Sequence, residues 1–123
     1  MTVDWYVKIE TPDIDENHPG IYEWRIERVG VYIGKSKRLT ARLREYPNNV
    51  RKLVENLPYR RHNPKGFRAV HHHLKAALDR GQQVKLTVLE NCSLELLNKQ
   101  ERFWIDLRRQ EAASGGLPVL NSN

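Results

Sequence analysis

The chain has 123 residues with one cysteine, Cys92, which excludes an intrachain disulfide framework and a cysteine-based zinc site. Hydrophobic residues make up 39% of the chain, enough for one folded core, but no apolar run approaches the length of a membrane span. The net charge of +6 indicates a polyanionic partner such as nucleic acid, although an ordinary basic protein also carries such a charge.

The amino-terminal part of the chain is polar and irregular. It lacks the basic and apolar segments of a secretory signal, so we expect a reducing, cytoplasmic location and no membrane association. Residues 5–9 predict a short edge strand. Residues 11–19 are acidic and rich in turn formers, which predicts an exposed loop.

Alternation of apolar and charged side chains predicts the main strands. Tyr22, Trp24 and Ile26 alternate with charged residues, and a turn near Gly30 separates them from a partner strand around residues 31–33. Residues 84–88 alternate in the same way and predict a third strand. With the helices between them, these strands predict an α/β (α+β) fold with a small, mainly antiparallel three-stranded sheet flanked by helices.

Four helices are expected between and after the strands. The first begins at Ser36, a typical N-cap residue, and ends at Pro47, while a second covers the helically spaced apolar residues of 50–57. A third helix ends at Gly81, and the last begins at a Ser93 cap.

Two tripeptides, Gly20-Ile21-Tyr22 and Tyr32-Ile33-Gly34, carry tyrosines ten positions apart. Each lies in a predicted strand of the same hairpin. Antiparallel pairing brings the two phenol groups into one neighbourhood, which makes them candidates for a shared site.

Glu101 is a carboxylate that the helical pattern leaves unexplained. Its nearest neighbours in direction on the last helix are apolar, with Leu97 and Trp104 among them. A carboxylate in an apolar stripe is costly to bury unless a cation or hydrogen-bond donors compensate it. Glu101 is therefore either half of an internal salt bridge with an arginine, or a metal ligand or acid/base group at the floor of a cleft.

Basic residues are concentrated after the second tripeptide and in the loop 58–66. Arg42 and Tyr46 lie four residues apart on one helical face, where the guanidinium either binds a phosphate with two hydrogen bonds or extends to solvent. The loop, interleaved with aromatic residues, fits either a nucleic-acid contact or a solvated surface. The candidate nucleic-acid-binding residues are Lys35, Lys37, Arg38, Arg60, Arg61, Lys65 and Arg68.

The histidine run 71–73 has the wrong spacing for a metal site, because consecutive helical residues point about 100° apart. His71 shares the apolar face with Val70 and Leu74, so we expect it to be a half-buried core residue. The next two histidines point elsewhere.

Taken together, these residues resemble the GIY-YIG nuclease family over about residues 20–121. The two tripeptides match the paired signatures of that family in order. The resemblance implies one domain over residues 1–123, with its core at about 20–121 and an amino-terminal extension at 1–19. The family's catalytic positions correspond here to Tyr22, Tyr32, Arg42, Tyr46, Glu101 and Asn121, with Tyr46 standing where histidine is commoner.

The chemistry that the resemblance implies is hydrolysis of a DNA phosphodiester bond with one divalent metal. Glu101 would hold Mg²⁺ or Mn²⁺ against the leaving oxygen. Tyr22 would take the proton of the attacking water, which requires nearby cations to lower the pKa of its phenol, and Tyr32 would orient that water.

The remaining matched residues are implied to hold the phosphate and the site geometry. Arg42 would brace the scissile phosphate, Tyr46 would donate a hydrogen bond to it, and Asn121 would fix the geometry from outside the site.

DNA is the expected partner, branched and single-stranded forms included. Because no appended recognition module is visible, target choice is expected from loops of the core, from a partner protein or from dimerisation. Two alternatives stay open. One is a non-cleaving nucleic-acid-binding module that retains the nuclease fold, and the other is an interaction protein whose charge is incidental.

Overall fold

The computed structural model describes residues 5–122. This part of the chain forms a mixed four-stranded sheet with helices on both faces. A single 3₁₀ turn at Leu94–Leu96 precedes the last helix. In chain order the strands and α-helices are β1 (Val7–Ile9), β2 (Gly20–Ile26), β3 (Gly30–Ser36), α1 (Leu39–Val54), α2 (Ala69–Arg80), β4 (Val84–Asn91) and α3 (Leu97–Ala113).

The strands lie side by side in the order β1-β4-β2-β3. β2 pairs antiparallel with both β3 and β4, as the alternation pattern predicts. The prediction of a three-stranded sheet is wrong, because β1 adds a fourth strand that runs parallel to β4. The edge strand predicted at residues 5–9 is confirmed as β1, which lies at one edge of the sheet. Its parallel pairing with β4 was not predictable, because a short strand gives no local signal of a partner distant in the sequence.

The two faces of the sheet bury different clusters. Tyr22, Trp24 and Ile26 point into the cluster beneath α1 and α2, whereas Ile21 packs with Ile105 of α3 on the other face. The alternation of side chains along a strand produces this division. The hairpin therefore presents its tyrosines to one side of the sheet, and α3 approaches from the other.

Helix α1 runs without interruption from residue 39 to 54, so the predicted break at Pro47 is wrong. Proline removes one helical hydrogen bond and crowds the preceding turn. Leu43, Tyr46 and Val50 are nevertheless buried along one face of the helix, on both sides of the proline. Burial of this face in the core holds the two halves in one helix against the local preference for a break.

The helix ends agree with the sequence in part. Gly81 ends α2 as predicted, with φ 65°, in the left-handed region that favours glycine. Ser36 is not the N-cap of α1, since that position belongs to Arg38. The Ser36 hydroxyl still accepts a hydrogen bond from the Arg38 N–H at 3.0 Å and donates one to the Arg38 carbonyl at 2.7 Å.

A buried ion pair anchors α3 to the sheet. Glu23 of β2 is 5% exposed and accepts a hydrogen bond from Arg108 Nε at 2.6 Å. Ile105, which is fully buried, packs one turn before Arg108. The same face of α3 carries Glu101 one turn earlier, so this anchoring fixes where the carboxylate stands.

Within residues 5–122 no helix is both long and apolar enough to cross a bilayer.

Candidate active site

The glycines of the two tripeptides are explained by close packing. Tyr22 lies opposite Gly34 in the β2–β3 register. A Cβ atom at Gly34 would stand 2.2 Å from Tyr22 Cζ, because the phenol ring crosses β3 at this position. At Gly20 a Cβ atom would stand 2.5 Å from the carbonyl oxygen of Glu90 on β4. Each tripeptide therefore needs glycine where another chain segment or ring passes over the backbone.

Tyr22 and Tyr46 form a buried pair of phenols. Tyr22 is 1% exposed and Tyr46 is fully buried, and their hydroxyl oxygens lie 2.5 Å apart. Burial raises the pKa of Tyr22 to about 12, and the hydrogen bond with Tyr46 offsets this only in part. Burial also raises the pKa of Tyr46. Both phenols consequently stay protonated near neutral pH.

Tyr32 occupies a different environment from Tyr22. Its side chain is only half-buried, and its hydroxyl lies 3.5 Å from Arg68 Nη1. Arg68 Nη2 also donates a hydrogen bond to the Tyr46 hydroxyl at 3.0 Å. One guanidinium thus connects the buried phenol pair with the more open phenol of Tyr32.

Arg68 has a more central position than its sequence context suggests. From the sequence it is only one of several cations near the loop 58–66. Its contact with the tyrosines arises because α2 begins immediately after it and packs against α1. That packing joins parts of the chain that no local pattern relates, so the role of Arg68 could not be read from spacing.

His71 holds the start of α2. It is 1% exposed, which confirms the expected core location. Its Nδ1 accepts the backbone N–H of Arg68 at 3.1 Å, and its Nε2 lies 3.3 Å from the side-chain amide of Asn49. Burial, followed by the charge of Arg68, lowers the pKa of His71 to about 4. A neutral imidazole in this place positions Arg68, while His72 is exposed and His73 is half-buried.

A cationic cleft of about 480 Å³ opens between the end of β3, the first turns of α1 and the start of α3. Its charged lining comprises four cations and one carboxylate, Glu45, which lies 3.9 Å from Arg42 Nε. Such a lining attracts a phosphate group. The lining residues are Lys35, Ser36, Lys37, Arg38, Ala41, Arg42, Glu45, Leu94, Leu97 and Asn98.

Glu101 is connected to this cleft through Lys35. The Glu101 side chain is 17% exposed, and its Oε1 lies 3.4 Å from Lys35 Nζ. Lys35 Nζ also donates a hydrogen bond to Oδ1 of Asn98, one helical turn before Glu101. The internal salt bridge considered from the sequence therefore exists, but its cation is a lysine of β3 and not an arginine.

The oxygen atoms around Lys35 suit a hard cation. The ammonium group contacts a carboxylate and an amide oxygen, Glu101 Oε1 and Asn98 Oδ1, so these two oxygens already share one positive charge. Mg²⁺ and Mn²⁺ prefer such oxygen ligands, and Mg²⁺ keeps most of its water when a protein supplies only one or two. In the described residues, no group of three or more His, Cys, Asp and Glu is arranged to hold a metal. The donor set fits a largely hydrated divalent ion at Glu101.

Asn98 was not among the site residues predicted from the sequence, because nothing in the sequence distinguishes it from any other exposed asparagine on a helix.

Asn121 ties the end of the chain to β3. Its Oδ1 accepts the Ile33 N–H at 2.9 Å, and its Nδ2 donates to the Ile33 carbonyl at 2.8 Å. The Leu120 N–H donates to the Val31 carbonyl at 2.7 Å. The side chain of Asn121 thus acts as a strand partner at Ile33, the residue between Tyr32 and Gly34.

Six of the seven candidate nucleic-acid-binding residues fall into two groups, and the seventh, Arg68, contacts the tyrosine cluster. Lys35, Lys37 and Arg38 line the cationic cleft. Arg60, Arg61 and Lys65 are exposed on the loop 58–66, away from that lining. Arg60 and Asn63 pair across this loop, and the Arg60 guanidinium lies 5.1 Å from the ring centre of Tyr59.

Comparison with protein families, curated proteins and solved structures finds no match for this chain. The candidate site consequently rests on the geometry of the chain itself. That geometry comprises a cationic cleft, a carboxylate reached through Lys35, and a tyrosine cluster that contacts Arg68. Arg42 lines the cleft and is also near enough to Tyr22 for its charge to oppose the rise in the pKa of that phenol.

Proposed function

We propose that this chain is a metal-dependent endonuclease that hydrolyses DNA phosphodiester bonds on a GIY-YIG nuclease-like fold. One observation supports this most strongly. Lys35 lines the cationic cleft and is ion-paired with Glu101, so a phosphate bound in the cleft lies beside a carboxylate suited to a divalent metal.

Arg42 and its neighbouring cations bind the scissile phosphate in this proposal. Arg42 lines the cleft from the second turn of α1 and presents a planar guanidinium that matches two phosphate oxygens. Lys35 approaches from β3. Together these groups stabilise the extra negative charge of the five-coordinate transition state.

Tyr32 is the phenol that takes the proton of the attacking water. The sequence hypothesis gave this role to Tyr22 on the condition that its pKa be lowered, whereas burial raises that pKa to about 12. Tyr32 is half-buried, so water reaches it, and the Arg68 guanidinium 3.5 Å away stabilises negative charge on its oxygen. Tyr22 and Tyr46 act by holding Arg68 in place through the hydroxyl of Tyr46.

Glu101 completes the site as the ligand of the metal. The chemistry supplied by Mg²⁺ or Mn²⁺ bound there is stabilisation of charge on the leaving 3′ oxygen. Lys35 is the ion-pair partner of this carboxylate. A metal bound at Glu101 would take over that charge compensation, and Lys35 would then be available to a phosphate in the cleft.

A non-cleaving nucleic-acid-binding module is the second candidate. The ion pair between Lys35 and Glu101 favours it, because a satisfied carboxylate needs no metal to be stable in this position. DNA cleavage assays with Mg²⁺ or Mn²⁺, using the wild type and Glu101→Gln, separate the two candidates. Cleavage that depends on Glu101 supports the nuclease, and binding without any cleavage supports the module.

The wider setting follows from the same proposal. We place the protein in the cytoplasm, where a single free cysteine such as Cys92 suits a reducing environment.

Residues 1–123 act as one domain, to which β1 contributes an edge strand. One site cuts one strand per encounter, so a double-strand break needs dimerisation, a partner protein or two successive events.

A further inference from the structure

A second cleft, which we call the base cleft, has a volume of about 570 Å³ and lies between the end of α1 and the loop that leads into α2. More than half of its lining residues are apolar, and none is acidic. The lining consists of Leu53, Asn56, Leu57, Pro64, Lys65, Phe67 and His72.

The charge around the base cleft is positive. Lys65 lines it, and Arg60 and Arg61 are exposed on the same loop. Arg68 follows directly after Phe67. An apolar cleft with a cationic rim complements a nucleotide, which combines an apolar ring with an anionic phosphate.

Phe67 gives the base cleft an aromatic surface of fixed orientation. Its ring packs edge-on against Tyr59, with centroids 5.2 Å apart, and against His72, with centroids 6.1 Å apart. Aromatic side chains held in this way are the usual stacking partners of unpaired bases. The amide of Asn56 and the imidazole of His72 add hydrogen-bonding groups for the edge of a base.

The base cleft adjoins the candidate active site. Phe67 lines the cleft, and the next residue, Arg68, contacts the hydroxyls of Tyr32 and Tyr46. The Cα atoms of consecutive residues are about 3.8 Å apart. The ring centroids of Phe67 and His71 are 6.2 Å apart, and those of His71 and Tyr46 are 5.4 Å apart, so the imidazole of His71 separates the base cleft from the tyrosine cluster.

We propose that the base cleft binds one unpaired nucleotide on the Arg68 side of the candidate site, so that the substrate is DNA with a single-stranded or branched segment. This inference rests on the proposed endonuclease function and adds its substrate class. Bases inside an uninterrupted duplex are stacked and paired, so they reach a protein cleft only after leaving the stack at a cost in free energy. An unpaired base bears no such cost.

Binding without metal tests this inference separately from cleavage. Wild-type protein in EDTA is titrated with a single strand, a flapped duplex and a blunt duplex of equal length, each carrying 2-aminopurine. We expect the flapped duplex and the single strand to bind at least about tenfold more tightly than the blunt duplex, because stacking of one unpaired base on an aromatic side chain contributes an affinity difference of this size. The fluorescence of 2-aminopurine beside the flap junction should fall on binding.

Variants locate the effect in the base cleft. Phe67→Leu keeps an apolar side chain but removes the stacking surface, and His72→Ala changes an exposed residue with little risk to folding. Both should weaken binding of the flapped duplex, Phe67→Leu by about tenfold, and leave the blunt duplex unchanged. Phe103→Leu is the matched control, because Phe103 is 53% exposed on α3 across the sheet.

Two results would overturn the inference. One is equal affinity for flapped and blunt duplexes. The other is unchanged binding and fluorescence in Phe67→Leu, including the case in which that variant instead disrupts a dimer and so marks the cleft as an interface between copies. Cleavage is scored independently. A protein that binds flaps through Phe67 but never cuts DNA refutes the nuclease alone, and one that cuts blunt duplexes regardless of Phe67 refutes the base cleft alone.

Discussion

The hydroxyl oxygens of Tyr22 and Tyr46 lie 2.5 Å apart inside the core, and the second of them accepts a hydrogen bond from Arg68. This contact separates the roles of the two signature tyrosines. Tyr22 is enclosed and stays protonated, whereas Tyr32 stands on the open side of the same guanidinium. In the proposed mechanism, Tyr22 is therefore the supporting phenol and Tyr32 the reactive one.

Removing each hydroxyl in turn tests this division. We expect Tyr32→Phe to reduce the single-turnover rate of DNA cleavage by about 10²- to 10⁴-fold, the contribution of a positioned proton acceptor. Tyr22→Phe should reduce it much less, because that hydroxyl acts on the reaction only through Tyr46 and Arg68. Circular dichroism of both variants checks that they fold. A larger loss in Tyr22→Phe than in Tyr32→Phe would reverse the assignment.

The contact of Tyr22 with Gly34 predicts a specific cost of adding one methyl group. Gly34→Ala places a Cβ atom 2.2 Å from Tyr22 Cζ, and the Tyr22 ring is buried in the core cluster. We expect the free energy of unfolding, measured in urea at pH 7, to fall by about 1–3 kcal/mol.

A double-mutant cycle identifies the source of that cost. When Tyr22 is first replaced by alanine, the added methyl group at Gly34 should no longer destabilise the protein, so the two effects are strongly non-additive. Additive effects would show that the strain at Gly34 comes from something other than the phenol ring.

The buried imidazole of His71 predicts a dependence of stability on pH. Its pKa is lowered from 6.5 to about 4 in the folded protein, so between these values only the unfolded chain takes up the proton. The stabilisation is complete above pH 6.5 and is lost as the pH falls toward 4, by roughly 3 kcal/mol in all.

Urea denaturation at pH 7 and pH 4.5 measures this effect. The difference in unfolding free energy between the two pH values should be smaller in His71→Gln than in the wild type. His73→Gln, on the same helix but only half-buried, is the control and should behave as the wild type does. Equal pH dependence in all three proteins would mean that His71 is not held neutral.

Lys35 is expected to contribute to DNA binding as a phosphate contact. Lys35→Met should weaken binding to all DNA sequences and reduce the slope of log K against log salt by about one. Lys99→Met is the matched control, because Lys99 is exposed on α3 and does not line the cleft. If the two variants show the same salt dependence, the cationic cleft is not where DNA binds.

Much of the fold was predictable because its signals are local. The alternation around Tyr22 and Trp24 marks β2, and Gly81 marks the end of α2. The parallel pairing of β1 with β4 and the continuity of α1 through Pro47 were not predictable, since both depend on contacts between distant segments.

The candidate site was also predictable from the sequence only in part. Glu101 could be identified from the sequence because a carboxylate interrupts the apolar stripe of the last helix. Its ion-pair partner Lys35 could be identified as a candidate because it is a cation directly after the second tripeptide. Arg68 and Asn98 reach the site only through the packing of α2 and α3, and the pKa of Tyr22 depends on how deeply its ring is buried. Residue types suggest candidates for chemistry, whereas burial, which raises the pKa of Tyr22, becomes visible only in the folded chain.

Cleavage of supercoiled plasmid and flapped DNA by wild type and Glu101→Gln, in Mg²⁺ or Mn²⁺, is the most direct test of the proposed endonuclease. Glutamine keeps the shape of the side chain and removes its charge. We expect the wild type to nick DNA and Glu101→Gln to be at least about 100-fold slower with DNA binding retained, since loss of the charged ligand weakens metal binding. Absence of cleavage of any DNA by the wild type, or an equal rate in Glu101→Gln, would contradict the proposal.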